Sequence, residues 1–324
     1  YLNHKRLTTA AKAWLVFTSL FFYSWWNIVY LPLILISILF NYTITSTLIE
    51  YDKSKRKHLS KKSILQVGLL FNVGLLVYFK YMDFFISNTN TVFGSDMELL
   101  HLALPLAISF FTLQQIMFLI DGYEGLVKEK NFLNYITFVT FFPQLIAGPI
   151  VHHKEMMPQF FSVRNKVKNY KNIALGLFIF SIGLFKKVVI ADTFAEWATN
   201  GFDLATTLNL FEAWVTSLSY TFQLYFDFSG YTDMAIGLAL LFNIRLPINF
   251  NSPYKATGMI DFWQRWHITL SNFITTYIYT PIVRSFNKLT FHKAMLATVI
   301  TFLIAGLWHG ASWMFVIFGG LHGI

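Results

Sequence analysis

Residues 294–310 read AMLATVITFLIAGLWHG, and the part from Ala294 to Gly306 contains no charged side chain. His309 follows it almost directly, in the tetrapeptide Leu307-Trp308-His309-Gly310. An ionisable side chain at the end of an apolar stretch of membrane length is costly to keep there and by default indicates a functional position. Histidine is also the side chain best suited to exchange protons near neutral pH. His309 is therefore the first candidate functional residue.

The composition of the whole chain is that of a membrane protein. Of the 324 residues, 55% are hydrophobic and only 13% are charged, whereas about a quarter of the residues in a soluble globular protein are charged. Several runs reach the ~18 apolar residues that indicate a membrane span. We predict an all-α, polytopic membrane helix bundle in a single domain over residues 1–324. Because the chain starts at Tyr1 and stops inside an apolar stretch, we expect it to be truncated at both ends.

Two further features of the composition exclude classes of function. The chain has no cysteine, which excludes disulfides, thiolate metal sites and a cysteinyl acyl-enzyme. The net charge of +9 would suit nucleic-acid binding, but the basic residues lie in short loops between apolar runs. Such a distribution is typical of membrane topology. We therefore expect the lipid bilayer, and no nucleic acid, as a partner.

Apolar periods along the sequence predict a series of membrane-spanning or membrane-buried segments. They are Ala13–Trp26, Ile28–Ile49, Ser63–Phe85, Leu102–Ile120, Asn172–Ile190, Leu208–Phe228, Tyr231–Ile244, Met259–Val283, Ala294–Trp308 and Ser312–Ile324. Several are too short to cross a hydrocarbon core of ~30 Å unaided. We expect those to be tilted, re-entrant or buried within the protein.

The distribution of Lys and Arg predicts the orientation. Basic residues crowd the loop Lys53–Lys62, and none occurs from Tyr81 to Val127. Short basic loops remain cytoplasmic. The Lys53–Lys62 loop is thus predicted to be cytoplasmic and Ser87–His101 to be outside, in a multi-pass protein of the cell inner membrane.

The apolar segment Tyr135–Ile150 has basic residues on both sides, which a full crossing would place on opposite faces. It also contains Pro143, Gly148 and Pro149, which interrupt helical hydrogen bonding. Non-helical backbone at membrane depth persists only when it is buried in protein or lines a cavity. We predict a re-entrant segment that enters from the cytoplasm; an ordinary kinked helix is the alternative.

Two carboxylates lie close together in an otherwise apolar setting at Tyr225–Asp233. Asp227 and Asp233 are six residues apart, and Gly230 is predicted to break the helix between them. Asp227 would suit orientation of a histidine or binding of a polar substrate group. The alternative is structural, with each carboxylate capping a helix or pairing with a buried base. Ser229 precedes Gly230, but no base is evident beside it.

Residues 261–271 predict an amphipathic helix at the membrane interface, with Trp263 on its apolar face and Arg265 on another. Arg265 and Lys255 are plausible partners for the phosphates of an acyl donor. His267, taken alone, would more often be a packing or surface histidine.

Several other reaction classes lack their sequence signatures. The chain has no phosphate-binding Gly-x-x-x-x-Gly-Lys-Ser/Thr loop and no His-Glu-x-x-His metal site. It also lacks a Gly-x-Ser-x-Gly nucleophile elbow.

Taken together, the motifs resemble the membrane-bound O-acyltransferase (MBOAT) family, over nearly the whole chain and in the same order. Within the family the likeness is greatest to the bacterial alginate O-acetyltransferase branch and more distant to teichoic acid D-alanyl-transfer proteins. The motifs that carry the resemblance are Phe21–Trp26, Pro143–Pro149, Tyr225–Asp233, Phe262–Ser271 and Leu307–Trp313.

The resemblance implies a bundle of tilted and re-entrant helices around a central funnel or tunnel. It also implies transfer of an acyl group from a thioester donor to a hydroxyl. His309 matches the family's essential histidine, and His267 matches an earlier polar position. As a general base, His309 would contribute typically ~10²–10⁴-fold, while His267 would position the hydroxyl or polarise the thioester carbonyl.

The two histidines are thus the predicted catalytic residues. Predicted substrate-binding residues are Asp227, Ser229, Asp233, Arg265, Trp263 and Trp308. The predicted donor-binding residues are Lys255 and Arg265, with acetyl-CoA, or else an acyl-carrier thioester, as the donor. We expect no metal and no permanently bound cofactor.

The resulting hypothesis is an O-acetyltransferase that modifies an exopolysaccharide or a cell-wall polymer, with a possible handover to an extracytoplasmic partner acyltransferase. A transporter or polysaccharide-export component is the alternative. Many transporters contain paired repeats with matching broken helices, and only one such segment is found here. A non-catalytic assembly protein is a weaker third possibility.

Overall fold

The structure is a computed structural model that describes residue 3 and residues 7–51, 59–127 and 130–324. Most of the predicted cytoplasmic loop Lys53–Lys62 therefore lies outside the described residues. In the first half of the described chain the helices are α1 (Thr8–Trp26), α2 (Leu31–Glu50), α3 (Lys61–Leu76), α4 (Met82–Phe93), α5 (Ile108–Tyr123), α6 (Phe132–Thr140), α7 (Phe142–Leu145) and α8 (His153–Phe161).

The second half continues with further helices. They are α9 (Tyr170–Phe185), α10 (Asp192–Thr199), α11 (Leu210–Leu241), α12 (Met259–Trp263), α13 (Ile268–Ile274), α14 (Thr280–Arg284), α15 (Phe291–His309) and α16 (Trp313–Gly323). Several of these helices begin at a side-chain N-cap. Asn169, Asn209 and Thr290 each accept a hydrogen bond from a backbone N–H of the first turn.

The predicted all-α class is confirmed, because the described residues form helices and no strand. Among the described residues, four helical segments are long and apolar enough to cross a membrane: Ile28–Glu50, Lys61–Phe93, Tyr170–Leu204 and Phe291–His309. Two of them contain a π-helical turn, at Val77–Tyr81 and at Lys186–Ala191. Such turns occur as single insertions in α-helices and are frequent at functional sites.

The chain divides into two compact units, Tyr1–Val16 with Phe141–Thr269 and Phe17–Thr140 with Leu270–Ile324. We refer to them as the first and the second unit. The organisation of residues 1–324 as a single domain stays a prediction.

In the first unit, α9 and α11 pack antiparallel through glycines. A Cβ atom on Gly183 would lie 2.6 Å from the carbonyl oxygen of Gly230, and one on Gly176 would lie 2.6 Å from that of Gly237. Small residues in this arrangement allow two helix backbones to approach closely, as in membrane helix pairs.

This packing corrects one prediction. Gly230 does not break a helix, since α11 runs without interruption from Leu210 to Leu241. The proposed separate segments Leu208–Phe228 and Tyr231–Ile244 are therefore one helix. The intrinsic helix-weakening effect of glycine is about 1 kcal/mol, and the close contact with α9 that only glycine permits outweighs it.

A second prediction, a continuous amphipathic helix through residues 261–271, is also wrong. The chain leaves the helical conformation after Trp263 and resumes it at Ile268. His267 between them has a left-handed backbone with φ of 44°. Hydrogen bonds from the preceding loop impose this break: Asn251 N–H donates to the Arg265 carbonyl and Ile268 N–H donates to the Asn249 carbonyl, both at 2.9 Å.

In the second unit, buried amides and hydroxyls link α2, α3, α5 and α6. The side chains of Asn41 and Asn72 donate to each other at 3.2 and 2.6 Å. Gln115 donates to Ser37 at 2.9 Å and accepts from Tyr135 at 3.2 Å. Interhelical hydrogen bonds of this kind contribute about 0.6 kcal/mol each on average in a membrane protein, and they specify which helix faces meet.

The segment predicted to be re-entrant does contain a broken helix. Helix α6 ends at Thr140, Phe141 interrupts it, and the short helix α7 follows with Pro143 near its start. Residues 149–152 are non-helical, and Ile150 N–H donates to Thr269 Oγ1 at 3.0 Å. The re-entrant course relative to a membrane stays a prediction.

We predict that Gly183→Ala destabilises the protein, because the new methyl group must displace the backbone of α11. The expected cost is roughly 1–3 kcal/mol, measured as a lower Tm of the detergent-solubilised protein. Gly74→Ala is the matched control, since nothing lies within 4 Å of a Cβ at that helical position. Equal Tm values for the two variants would contradict the close packing of α9 on α11.

Candidate functional site

His309 is the last residue of α15 in the second unit. Gly310 follows in an extended conformation with φ of −167°, which ends the helix. The imidazole is exposed, and within the described part of the chain no side chain or backbone group is hydrogen-bonded to it. Aromatic rings limit its orientation: the Trp308 ring lies 5.0 Å away and the Phe318 ring 6.1 Å away, both edge to face. The described residues thus leave both ring nitrogens without a hydrogen-bond partner.

A cavity of about 350 Å³ opens beside this ring. Its lining includes Tyr78, Lys80, Asp83, Leu102, His309 and Gly310, all in the second unit. The volume is at the lower end of the ~300–1,000 Å³ typical of small-molecule sites. His309 is therefore positioned at a cavity rather than pressed into hydrocarbon.

Trp308, predicted to bind substrate, is half-buried beside His309. Its ring packs edge to face on Phe110 at 5.8 Å. Its indole Nε1 is buried, and no hydrogen-bond acceptor for it exists among the described residues. The observed contacts support a packing role next to His309, and its predicted contact with substrate stays a prediction.

His267 belongs to the first unit and is almost completely buried, at 3% exposure. Its Nδ1 lies 3.1 Å from Oδ1 of Asn249, and the Phe228 ring of α11 packs edge to face on it at 4.7 Å. The left-handed backbone of His267 costs about 1–3 kcal/mol and persists only when surrounding structure holds it. Asn249 supplies much of that support through both its backbone and its side chain.

The contacts of Asn249 determine the tautomer of His267. The same Oδ1 atom accepts the backbone N–H of Thr269 at 3.2 Å and the Thr269 hydroxyl at 2.9 Å. Because a backbone N–H can only donate, the atom must be the amide oxygen rather than the nitrogen. An oxygen cannot donate in return, so Nδ1 of His267 must carry a hydrogen. In the neutral imidazole, Nε2 is then left with a lone pair.

Asp227 and Asp233 lie on α11 and pair with lysines of the π-helical turn Lys186–Ala191. Lys187 Nζ is 2.7 Å from Asp227, and Lys186 Nζ is 2.6 Å from Asp233. Lys187 also contacts Asp192 at 2.7 Å. The structural alternative weighed for these carboxylates, pairing with a base, is what the geometry shows. A role for either in substrate binding stays a prediction.

Ser229, on the same helix, is 1% exposed, and its hydroxyl has no hydrogen-bond partner in the described part of the chain. Among the described residues, no general base is hydrogen-bonded to it, as activation of a serine nucleophile would require. Its predicted role in substrate binding is not tested by these contacts.

Arg265 is engaged within the loop that precedes His267. Its Nε donates to Asp261 at 2.6 Å, and its Nη1 donates to the Asn251 carbonyl at 3.3 Å. The hydrogen bond from Arg265, with another from the Thr257 N–H, lowers the pKa of Asp261. By contrast, Lys255 is exposed in the 3₁₀ turn Pro253–Lys255. The predicted contacts of Arg265 and Lys255 with donor phosphates stay predictions.

Trp263 packs edge to face on Phe262 at 5.5 Å, and Trp266 stacks on the same Phe262 ring at 5.7 Å. The neighbouring loop adds Phe250, 5.1 Å from Trp266 and 5.1 Å from Phe228 of α11. The ring contacts of Phe250 pack the loop against α11, and the predicted contact of Trp263 with substrate stays a prediction.

With both histidine environments defined, known proteins provide a comparison. The model of the membrane-bound O-acyltransferase family matches residues 11–324. The chain belongs to this family. The membership predicted from the sequence motifs is thereby confirmed.

Individual relatives are similar over two thirds of the chain or more. A peptidoglycan O-acetyltransferase of Helicobacter pylori is 54% identical over 339 aligned residues, which cover 97% of this chain and 63% of that protein. A probable alginate O-acetylase of Azotobacter vinelandii is 37% identical, over 95% of this chain and 61% of that protein. A teichoic acid D-alanyltransferase of Streptococcus thermophilus is 28% identical, over 68% of this chain and 55% of that protein. The chain thus spans about three-fifths of the length of its relatives.

Sequence reasoning about this family member missed residues in the surroundings of both histidines. Asn249 and Thr269 were overlooked because their link to His267 depends on the break in the helix. Lys80 was overlooked although a visible signal existed, namely a lone lysine inside the apolar segment Ser63–Phe85.

We predict that Asn249→Ala releases His267 from a single tautomer. The variant leaves the Thr269 N–H and the imidazole without their acceptor, at an expected cost of about 1–3 kcal/mol in stability. The ¹⁵N spectrum of labelled protein, assigned by comparison with His267→Gln, should show a protonated Nδ1 in the parent and a mixture of tautomers in the variant. Asn251→Ala, in the same loop, is the control and should retain the parent spectrum. A parent ring protonated at Nε2 alone would refute the assignment.

Proposed function

We propose that the protein is a membrane-embedded O-acetyltransferase in which His309 acts as the general base. The observation that carries the proposal is the position of this imidazole: it ends an apolar helix of membrane-spanning length and lines a cavity. Membership of the membrane-bound O-acyltransferase family supports the reaction class.

The chemistry follows from the properties of a hydroxyl group. An alcohol is a poor nucleophile until its proton is removed, and a neutral imidazole within hydrogen-bond reach removes it as the new ester bond forms. For His267 we propose a supporting role in the same reaction. It positions the acceptor hydroxyl or polarises the thioester carbonyl, with its ring held in place by Asn249.

The substrates are part of the proposal. Acetyl-CoA is the proposed donor, with an acyl-carrier thioester as the rival. A cell-wall polymer, peptidoglycan, is the favoured acceptor because the relative with 54% identity bears that name, whereas the alginate O-acetylases are 34–37% identical. A partner acyltransferase on the outer face completes the transfer if the acetyl group must cross the membrane.

Replacement of His309 tests the general-base role. His309→Ala should lower acetyl transfer from radiolabelled acetyl-CoA by ~10²–10⁴-fold in membranes, at an unchanged amount of protein. His292→Ala is the matched control, since His292 is an exposed histidine at the opposite end of the same helix. Transfer that survives His309→Ala would favour a transporter or an assembly protein.

The proposed location is the cell inner membrane, with the Lys53–Lys62 loop in the cytoplasm. Because the chain lacks cysteine, a single introduced thiol reports the side on which it lies. Glu98→Cys should react with a membrane-impermeant maleimide in intact spheroplasts, whereas Leu59→Cys should react only after lysis. Both residues are exposed, so equal labelling of the two in intact cells would reject this orientation.

A further inference from the structure

Lys80 is a charged residue that the proposed chemistry does not yet use. It lies in the π-helical turn Val77–Tyr81, within the segment Lys61–Phe93 that is long and apolar enough to cross a membrane. Its ammonium forms no ion pair with a carboxylate anywhere in the described residues. An unpaired charge in such a segment is costly and by default marks a function.

Two of the three ammonium donors of Lys80 are already bound. Lys80 donates to the backbone carbonyl of Trp308, and it donates to Ser109 Oγ at 3.3 Å. The Trp308 carbonyl is among the groups at the C-terminal end of α15 that lack a helical partner. A lysine ammonium has three N–H donors, so one remains without an acceptor in the described part of the molecule.

Lys80 lines the same cavity as His309, and its Nζ lies 5.6 Å from the centre of the Trp308 ring. Lys80, Asp83 and His309 all contribute to the cavity wall. The carboxylate of Asp83 is occupied, since its oxygens accept the backbone N–H groups of Leu100 at 2.7 Å and His101 at 3.0 Å. The cavity thus combines an accessible base with a cationic donor that has a free N–H.

We propose that Lys80 is a further catalytic residue, whose free N–H binds the carbonyl oxygen of the acyl donor and stabilises the oxyanion formed from it. The inference rests on the proposed function and deepens it. A donor directed at developing negative charge in a site of low dielectric is usually among the largest contributions to catalysis.

The reaction balances with Lys80 charged throughout. The acceptor oxygen bonds to the thioester carbonyl carbon while His309 takes the hydroxyl proton, and the C=O electron pair moves to the oxygen beside Lys80. The pair then returns, the C–S bond breaks, and the leaving thiolate takes the proton from the His309 imidazolium. Lys80 neither gains nor loses a proton.

A purely structural role for Lys80 would affect the stability of the protein rather than its kcat. Binding of the Trp308 carbonyl helps to hold the end of α15, as does the Tyr81 hydroxyl, which donates to the Leu307 carbonyl at 2.6 Å. Loss of that role alone would lower Tm and the amount of folded protein. It would not selectively lower kcat per folded molecule.

The experiment compares Lys80→Met and Lys80→Arg in membranes that contain the full-length protein, with acetyl-CoA and a soluble peptidoglycan fragment as probes. We expect Lys80→Met to lower kcat by about 10²–10³-fold per folded molecule, with little change in the KM of the acceptor. Lys80→Arg, which retains a charged N–H donor, should recover about tenfold of that loss. Lys293→Met is the control, since Lys293 also donates to a backbone carbonyl, that of Lys288 at 3.3 Å, at the other end of α15.

Three results would overturn the inference. A kcat of Lys80→Met close to that of the parent, or equal activities of the Met and Arg variants, would reject the oxyanion role while His309→Ala still abolishes transfer. An inactive parent, equally inactive in the Lys293→Met control, would reject the proposed function and the role of Lys80 with it.

Discussion

A polar group inside an apolar helix must find its partner within the protein, and this constraint explains most of the irregular features of the chain. Lys80 and Tyr81 bind the carbonyls of Trp308 and Leu307 at the end of α15. Lys186 and Lys187 pair with carboxylates of α11. Each of these lysines lies in a π-helical turn, where one extra residue turns the side chain toward a partner that a regular helix would miss.

The two histidines meet opposite physical requirements. His267 is buried, has a strained backbone, and is held in one tautomer by Asn249. His309 is exposed beside a cavity, and the rings of Trp308 and Phe318 lie against its imidazole. A group that orients a substrate gains from rigid support, whereas a group that exchanges a proton with a substrate must be reachable. The contrast agrees with a supporting role for His267 and a general-base role for His309.

Sequence reasoning succeeded where a single local property dominates. The apolar run before His309 predicted α15 almost to its last residue, and the prolines of Tyr135–Ile150 predicted a broken helix.

Sequence reasoning failed where tertiary contacts outweigh local preference. Gly230 lies mid-helix because α9 packs against it, and the chain breaks at His267 because Asn249 binds its neighbours. Lys80 and Trp308, which are hydrogen-bonded, lie 228 positions apart in the sequence. A single sequence does not indicate that two such distant residues are in contact.

The termination of α15 connects these observations to the proposed chemistry. A helix that ends at a reactive residue leaves unpaired carbonyls beside it, and these would compete for the hydroxyl of an entering substrate. Here the carbonyls of Leu307 and Trp308 are already bound by side chains from the turn at Val77–Tyr81. These two carbonyls therefore compete less with the imidazole of His309 for a substrate hydroxyl. In the proposed reaction, the contacts that complete this end of α15 thus also favour binding of a hydroxyl at His309.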